Sequence, residues 1–319
     1  MTPYFEDLIS IYSPVDIQGD ALPYGTGTSL VSEITKRWRL FPGLSEQTIQ
    51  TILTAICKEL YDNSPQIFND SVCIPELFND SYLRDNSLLL DNDWNLFVDE
   101  IKTKNRYHSR QLNSKILEEY CAFIRKDYKA GTEFYRGRIS DRQGYGLDKM
   151  SAPPVGKSAE GRANARGITC LYVASDIDTA FHEVRAGLFD YVSVGKFRLK
   201  HDITVVDLSV ILKISPFNNK LDCLKLAINK PHLERLNHEM SRPLRRSDST
   251  LDYVPTQYIV DYIKSIETDG IQEYNGIEYT STANPSGYNL AIFDPDLFEC
   301  TSVTVYEIEK LQYGPKAIL

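Results

Sequence analysis

Four short stretches of the 319-residue chain bring charged or hydrogen-bonding side chains close enough together to do chemistry. The first is Phe134-Tyr135-Arg136-Gly137-Arg138. Two arginines flanking a glycine offer planar guanidinium forks, which grip a phosphate through paired N–H donors as lysine cannot. On spacing alone, two solvated arginines at a strand end explain the motif slightly better. The second is Gly161-Arg162-Ala163-Asn164-Ala165-Arg166-Gly167, where Gly161 and Gly167 let backbone approach an anion while the arginines supply charge. A plain solvated loop has the same composition. The third runs from Leu171 to Arg185, with Tyr172 on a strand and Glu183 about two turns into the helix that follows. A carboxylate there is either an ordinary helix residue, which composition favours, or a cleft residue able to face a developing positive charge. His182 beside it reads as a surface or core histidine. The fourth is Gly276–Thr282 followed by Asn284-Pro285-Ser286-Gly287-Tyr288-Asn289. Its strand ends at Ser281 in hydroxyls and amides that suit ribose or a carboxamide, and equally suit a turn.

Chemistry at these positions needs elements to hold them. Apolar residues at helical spacing predict helices over Leu44–Tyr61, with Ser45 as cap, and over Asn113–Tyr128. Asn and Asp clusters punctuate the segment between them. Residues 1–129 therefore read as a mostly α-helical N-terminal domain, and Lys129-Ala130-Gly131-Thr132 as the connection out of it. Beyond it, runs rich in Val, Ile, Tyr and Phe predict strands at 133–136, 170–174, 191–199, 203–208, 276–281, 289–293 and 302–308. Helices are expected near Ser175 or Asp176, over Asp222–Met240, and from Pro255 onward. Strands and helices mix without regular alternation, which predicts an α+β domain over 130–319.

Composition narrows the function classes. The formal net charge is −9, without a basic patch, so general nucleic-acid binding has no electrostatic footprint. In so acidic a chain, clustered arginines carry more information than usual. No apolar run is long enough to span a bilayer and the first residues lack a signal-peptide pattern, so a cytoplasmic protein with no membrane partner is expected. The six cysteines form no CxxC pair and the five histidines no ligand spacing, so buried reduced thiols are expected and no metal site.

Taken in order, the stretches resemble the RES family, named for its Arg, Glu and Ser: an arginine on an early strand, G-R-x-N-x-x-G, L-Y-x-A-S, T-A-x-x-E and a late serine. The resemblance runs from about Glu133 to Asp296, and the block from Gly161 to Arg185 is its specific part. It implies a compact α+β fold related to ADP-ribosyltransferase toxins. It also implies cleavage of the nicotinamide–ribose bond of NAD, by glycohydrolase or phosphorylase chemistry, with NAD as substrate rather than cofactor and inorganic phosphate as one candidate acceptor. Many members are toxins restrained by an antitoxin. Carried over, the family's Arg falls on Arg136, its Tyr on Tyr172, its Glu on Glu183 and its Ser on Ser281. On this reading Arg136, assisted by Arg162, holds the pyrophosphate. Tyr172 packs on nicotinamide or ribose, Glu183 faces the ribosyl cation, and Ser281 orients the nicotinamide end. Tyr135, Arg138, Gly161, Asn164 and Gly167 complete the expected NAD-binding set. The position between Arg162 and Asn164, often aromatic in the family, is Ala163 here, which removes any stacking role there.

Three other readings stay open at this level. A protein ADP-ribosyltransferase would use the same pocket and differ in its acceptor. An RNase in the helical N-terminal domain would need an Arg and a His at least about a helical turn apart, and Arg106-Tyr107-His108 is too close. A catalytically silent binding module would not need Arg136, Glu183 and Ser281 together. The N-terminal domain is expected to sense a trigger, bind a regulatory protein such as an antitoxin, or form a homo-oligomer.

Overall fold

The protein is described by a computed structural model covering residues 2–18, 26–218, 220–242, 249–284 and 286–311, so Pro285 of the hydroxyl-rich turn lies outside the described residues. The architecture is α+β, as the mixture of elements predicts. The chain divides into two compact units: Met1–Phe97, Arg110–Leu117 and Leu212–Leu233 form the first, and Val98–Ser109, Glu118–Ile211 and Glu234–Leu319 the second. None of the helices among the described residues is long and apolar enough to cross a membrane.

Short helices dominate the first unit. Helix α1 (Glu46–Ile56) starts where Ser45 Oγ accepts from the Thr48 amide at 3.2 Å, and it buries Ile49 and Leu53. The stripe predicted through Tyr61 breaks at Cys57, whose backbone (φ −107°, ψ 47°) is not helical, and resumes over Lys58–Asn63. Three two- and three-residue strands, Ser13–Pro14, Thr28–Ser29 and Ser71–Cys73, make a small antiparallel sheet. Buried Asn229 ties distant parts of this unit together, accepting from the Leu88 amide at 2.6 Å and donating to the Asn86 carbonyl at 2.8 Å.

The second unit is built on one eight-stranded sheet. Its strands are β1 (Arg125–Tyr128), β2 (Glu133–Ser140), β3 (Leu171–Ala174), β4 (Tyr191–Leu199), β5 (Ile203–Asp207), β6 (Gly276–Thr280), β7 (Tyr288–Ile292) and β8 (Phe298–Glu307). Their order is β8-β4-β2-β3-β7-β6-β5-β1, with β5 and β6 parallel and every other neighbouring pair antiparallel. The helix predicted over 113–128 stops early: α2 covers Ser114–Phe123, and Arg125–Tyr128 becomes the edge strand β1. Tertiary pairing overrides the local pattern there. Alternation puts Lys126 and Tyr128 on one face, where both donate to buried Glu278 of β6, at 2.8 and 2.7 Å.

One sheet face packs an apolar cluster of Phe134, Leu171, Val173, Phe197, Leu199, Ile203, Val205, Leu290, Ile292 and Phe298. The Phe134 ring meets Tyr128 and Phe298 edge-on, with centroids 5.3 and 5.8 Å away. Residues between these core positions point to the opposite face. Register there aligns Ala174 of β3, Asn289 of β7 and Tyr279 of β6 across three neighbouring strands. Strands β2 and β3 share a single bridge, Tyr135 to Ala174, so the sheet stays open beside it.

The remaining helices of note are α3 (Ile177–Glu183), α4 (Cys223–Ser241) and α5 (Val254–Lys264). All six cysteines are unbridged; Cys57, Cys73, Cys121 and Cys170 are buried, and Cys223 and Cys300 half-buried. Burial pushes the thiols of Cys170 and Cys223 up to about 12, which suppresses thiolate reactivity.

Candidate active site

Strand β3 delivers the chain straight into α3. Asp176 caps that helix, its Oδ1 accepting from the Thr179 amide at 2.7 Å and its Oδ2 from the Ser175 and Thr179 hydroxyls at 2.6 and 2.8 Å. Gly137 lets α3 lie directly on β2. A Cβ at that position would stand 2.9 Å from the Ala180 carbonyl oxygen and 3.3 Å from Val184 Cγ1. The helix is short, and its last residue is Glu183.

The Glu183 carboxylate is held from one side. Oε1 accepts from the Ser281 hydroxyl at 2.8 Å and from the Asn289 side-chain amide at 2.7 Å. Ser281 and Asn289 are both buried. Ser281 in turn accepts from the Asn284 amide at 3.3 Å, and the Asn284 side chain donates to Thr179 Oγ1 at 3.0 Å, which ties the turn back to α3. Oε2 has no hydrogen-bond partner among the described residues.

This carboxylate lines a cavity of about 280 Å3, together with Tyr135, Arg136, Gly161, Arg162, Tyr172, Tyr253, Tyr279 and Asn289. Arg136 is the electrostatic anomaly. Its Nη1 is fully buried and has no partner among the described residues. Burial, and then the neighbouring charge of Arg138, push its pKa down to about 10, which still leaves it a cation at neutral pH. A buried cation without a counterion is costly, so this position is suited to receiving an anion.

Tyr172 offers the cavity its ring. Its hydroxyl is used by the loop behind it, donating to Asn164 Oδ1 at 2.6 Å and accepting from the Ala163 amide at 3.1 Å. Burial raises its phenol well above the ordinary tyrosine range, so it stays neutral. Gly161 must be small, because a Cβ there would fall 2.6 Å from the Tyr172 hydroxyl.

The other expected residues divide by position. Arg162 lines the cavity, yet its guanidinium donates to the carbonyls of Glu239, at 2.8 Å, and Arg242 at the end of α4. Those bonds make it an anchor for the loop rather than a free phosphate clamp. Asn164 is buried behind Tyr172, its amide nitrogen donating to the carbonyls of Ala159, Ala165 and Ile168. Gly167 (φ +88°) turns the loop, and the cavity is lined without it. Arg138 donates to the Lys149 carbonyl and lies 4.9 Å from the Tyr145 ring centroid, away from the cavity lining. Ser281 reaches Glu183, so its one hydroxyl proton is committed to the carboxylate rather than to a nicotinamide. His182 is exposed, with Nδ1 2.8 Å from the Asp178 carbonyl.

Sequence reasoning included Tyr279 and Asn289 only as members of the fourth stretch, without singling them out, and missed Tyr253 as a cavity residue and Gln257 as a loop support that donates to the carbonyls of Gly161 and Asn164 at 2.8 and 3.0 Å. Period-two alternation was the available signal for Tyr279 and Asn289, but it needed the β3-β7-β6 strand order to become a shared face. Among the described residues, no group of three or more His, Cys, Asp or Glu side chains is placed to hold a metal ion.

Against known protein families, residues 137–313 match the RES domain. That range includes Tyr172, Glu183, Ser281 and Asn289, and begins one residue after Arg136. No curated protein and no solved structure matches the chain.

Proposed function

This chain belongs to the RES domain family, and from that premise we propose that it cleaves the nicotinamide–ribose bond of NAD. The observation that carries the reading is the one-sided hold on Glu183: two donors fix Oε1, and Oε2 is left for a ligand in the same cavity that Arg136 lines.

The chemistry follows from that arrangement. The C1′–N bond breaks with its electron pair going to the nicotinamide nitrogen, which leaves as a neutral base. The ribosyl fragment becomes oxocarbenium-like, and a fixed carboxylate stabilises the developing positive charge, directly or through the ribose hydroxyls. Arg136 pairs with the pyrophosphate, ending its isolation as a buried cation. Tyr172 packs its ring against the nicotinamide or ribose. Ser281 and Asn289 aim Glu183. A water oxygen then bonds to C1′ and passes one proton to solvent, or an anionic phosphate oxygen bonds there with no proton to lose.

Incubating the protein with NAD, with and without inorganic phosphate, tests this. Nicotinamide release is expected, with ADP-ribose as partner product if water is the acceptor and its 1″-phosphate if phosphate is. Label moving from NAD onto a protein band would instead mark an ADP-ribosyltransferase. Glu183→Gln should lower the rate about 100- to 1000-fold with the fold intact. Absence of nicotinamide under every condition would sink the reading.

The family is one known in NAD-related toxin systems. In the cell we read this chain as an NAD-depleting toxin or defence effector, with a regulatory partner, trigger or self-association engaging the helical N-terminal part. Growth arrest on expression that Glu183→Gln abolishes is the expected outcome.

A further inference from the structure

The cavity beside Glu183 measures about 280 Å3, near the small end of ligand pockets, and suits one end of a dinucleotide. A second cavity of about 240 Å3 lies in the same unit, lined by Arg106, Tyr107, Ala165, Tyr258, Asp261 and Tyr262 among others. The two are next to each other along two separate stretches of chain. Gly161 lines the first and Ala165 the second, while Tyr253 lines the first and Val254 the second. Gln257, a wall of the second, donates to the Gly161 and Asn164 carbonyls of the loop that partitions them.

The second cavity has the chemistry of a base pocket. Val254, Tyr258, Asp261 and Tyr262 recur at helical spacing on α5 and present one face to it. Tyr258 and Tyr262 are fixed by their hydroxyls, to the Ser109 carbonyl at 3.2 Å and to Glu118. Tyr107 is 82% exposed at the rim of this cavity, so its ring face is open to a stacking partner. Three tyrosines supply flat π surfaces, Asp261 an acceptor for an exocyclic amine, and Arg106 donors for ring nitrogens.

We propose that this tyrosine-lined cavity is a purine-nucleotide site, which holds the adenosine half of the substrate whose nicotinamide half occupies the Glu183 cavity. The second clause rests on the NAD reading above; the purine site itself does not.

AMP is the probe, titrated calorimetrically against the intact protein. Saturable binding is expected, weakened at least about fivefold by Tyr107→Ala, since stacking a base on an aromatic ring is worth that much or more. Tyr107 lies in solvent, so this variant should fold. Glu183→Gln should not weaken AMP binding, since it removes an anion from the neighbouring cavity and none of the purine contacts. No saturable AMP binding, equal binding by Tyr107→Ala, or loss of binding in Glu183→Gln would each overturn the proposal. Tyr107-dependent AMP binding in a protein that releases no nicotinamide would keep the purine site and discard the NAD reading.

Discussion

At Arg136 the free protein carries a buried guanidinium nitrogen without a partner among the described residues, a cost with no return until an anion arrives. Replacing the side chain by an apolar one of similar length should therefore separate stability from function. Arg136→Leu is expected to raise stability by about 1 kcal/mol, roughly 2–4 °C in Tm, while eliminating NAD turnover. A thermal melt beside a nicotinamide assay checks both halves, and a marked fall in Tm would show that the cation is satisfied in some other way. Residue types told part of this in advance. Arg136, Tyr172 and Glu183 were legible from their order along the chain, and all three line one cavity. Arg162 and Asn164 were legible as members of the same loop, but not as its braces, because their partners at Glu239, Arg242 and Ile168 are set by how that loop folds back. Asn289 was invisible as a partner of Glu183, 106 positions away.

The elements that present these side chains depend on close backbone approach. Helix α3 rests on β2 at Gly137, with no room for a methyl group beside the Ala180 carbonyl. Gly137→Ala should push α3 outward and take Glu183 away from Ser281 and Asn289. A displacement on the order of 1 Å in a catalytic group can cost about 100-fold in rate. The expected outcome is a folded protein, by circular dichroism, with kcat for nicotinamide release reduced by that order. Unchanged kcat would mean that α3 can shift without moving its last residue. The start of α3 was readable because Ser175-Asp176 is a local capping signal whose bonds close within three residues. Strand β1 was not readable. Its helical-looking stripe yields to pairing with β5 and to the Glu278 bonds, both of which come from distant sequence.

For the molecule as a whole, acid should be felt first at His232. Burial pushes this imidazole down from 6.5 to about 4, with Asp93 opposing, and its Nε2 lies 2.7 Å from Asn92 Oδ1. The folded form thus keeps the ring neutral at pH values where the unfolded chain protonates it. Stability from this group is complete above about pH 6.5 and is lost as pH falls toward 4, by up to about 3 kcal/mol. Urea midpoints measured between pH 7 and 4.5 should fall accordingly, and His232→Gln should flatten the slope; an equal slope in that variant would place the acid sensitivity elsewhere. The helical character of the early sequence and the mixed character after it were both visible. The packing of Leu212–Leu233 with the early helices was not, since it depends on contacts such as Leu88 with Asn229 that leave no periodic trace.

One cavity lined by a cation at Arg136 and an anion at Glu183 has a built-in polarity. Oxidised NAD carries a positive pyridinium ring and a negative pyrophosphate, and so matches that polarity in a single orientation. Reduced NADH keeps the pyrophosphate but has lost the ring charge, and with it both the attraction to the carboxylate and the activated leaving group. On the proposed chemistry the site discriminates by redox state, drawing down the oxidised pool while sparing the reduced one, so its action on a cell would vary with the metabolic balance it meets.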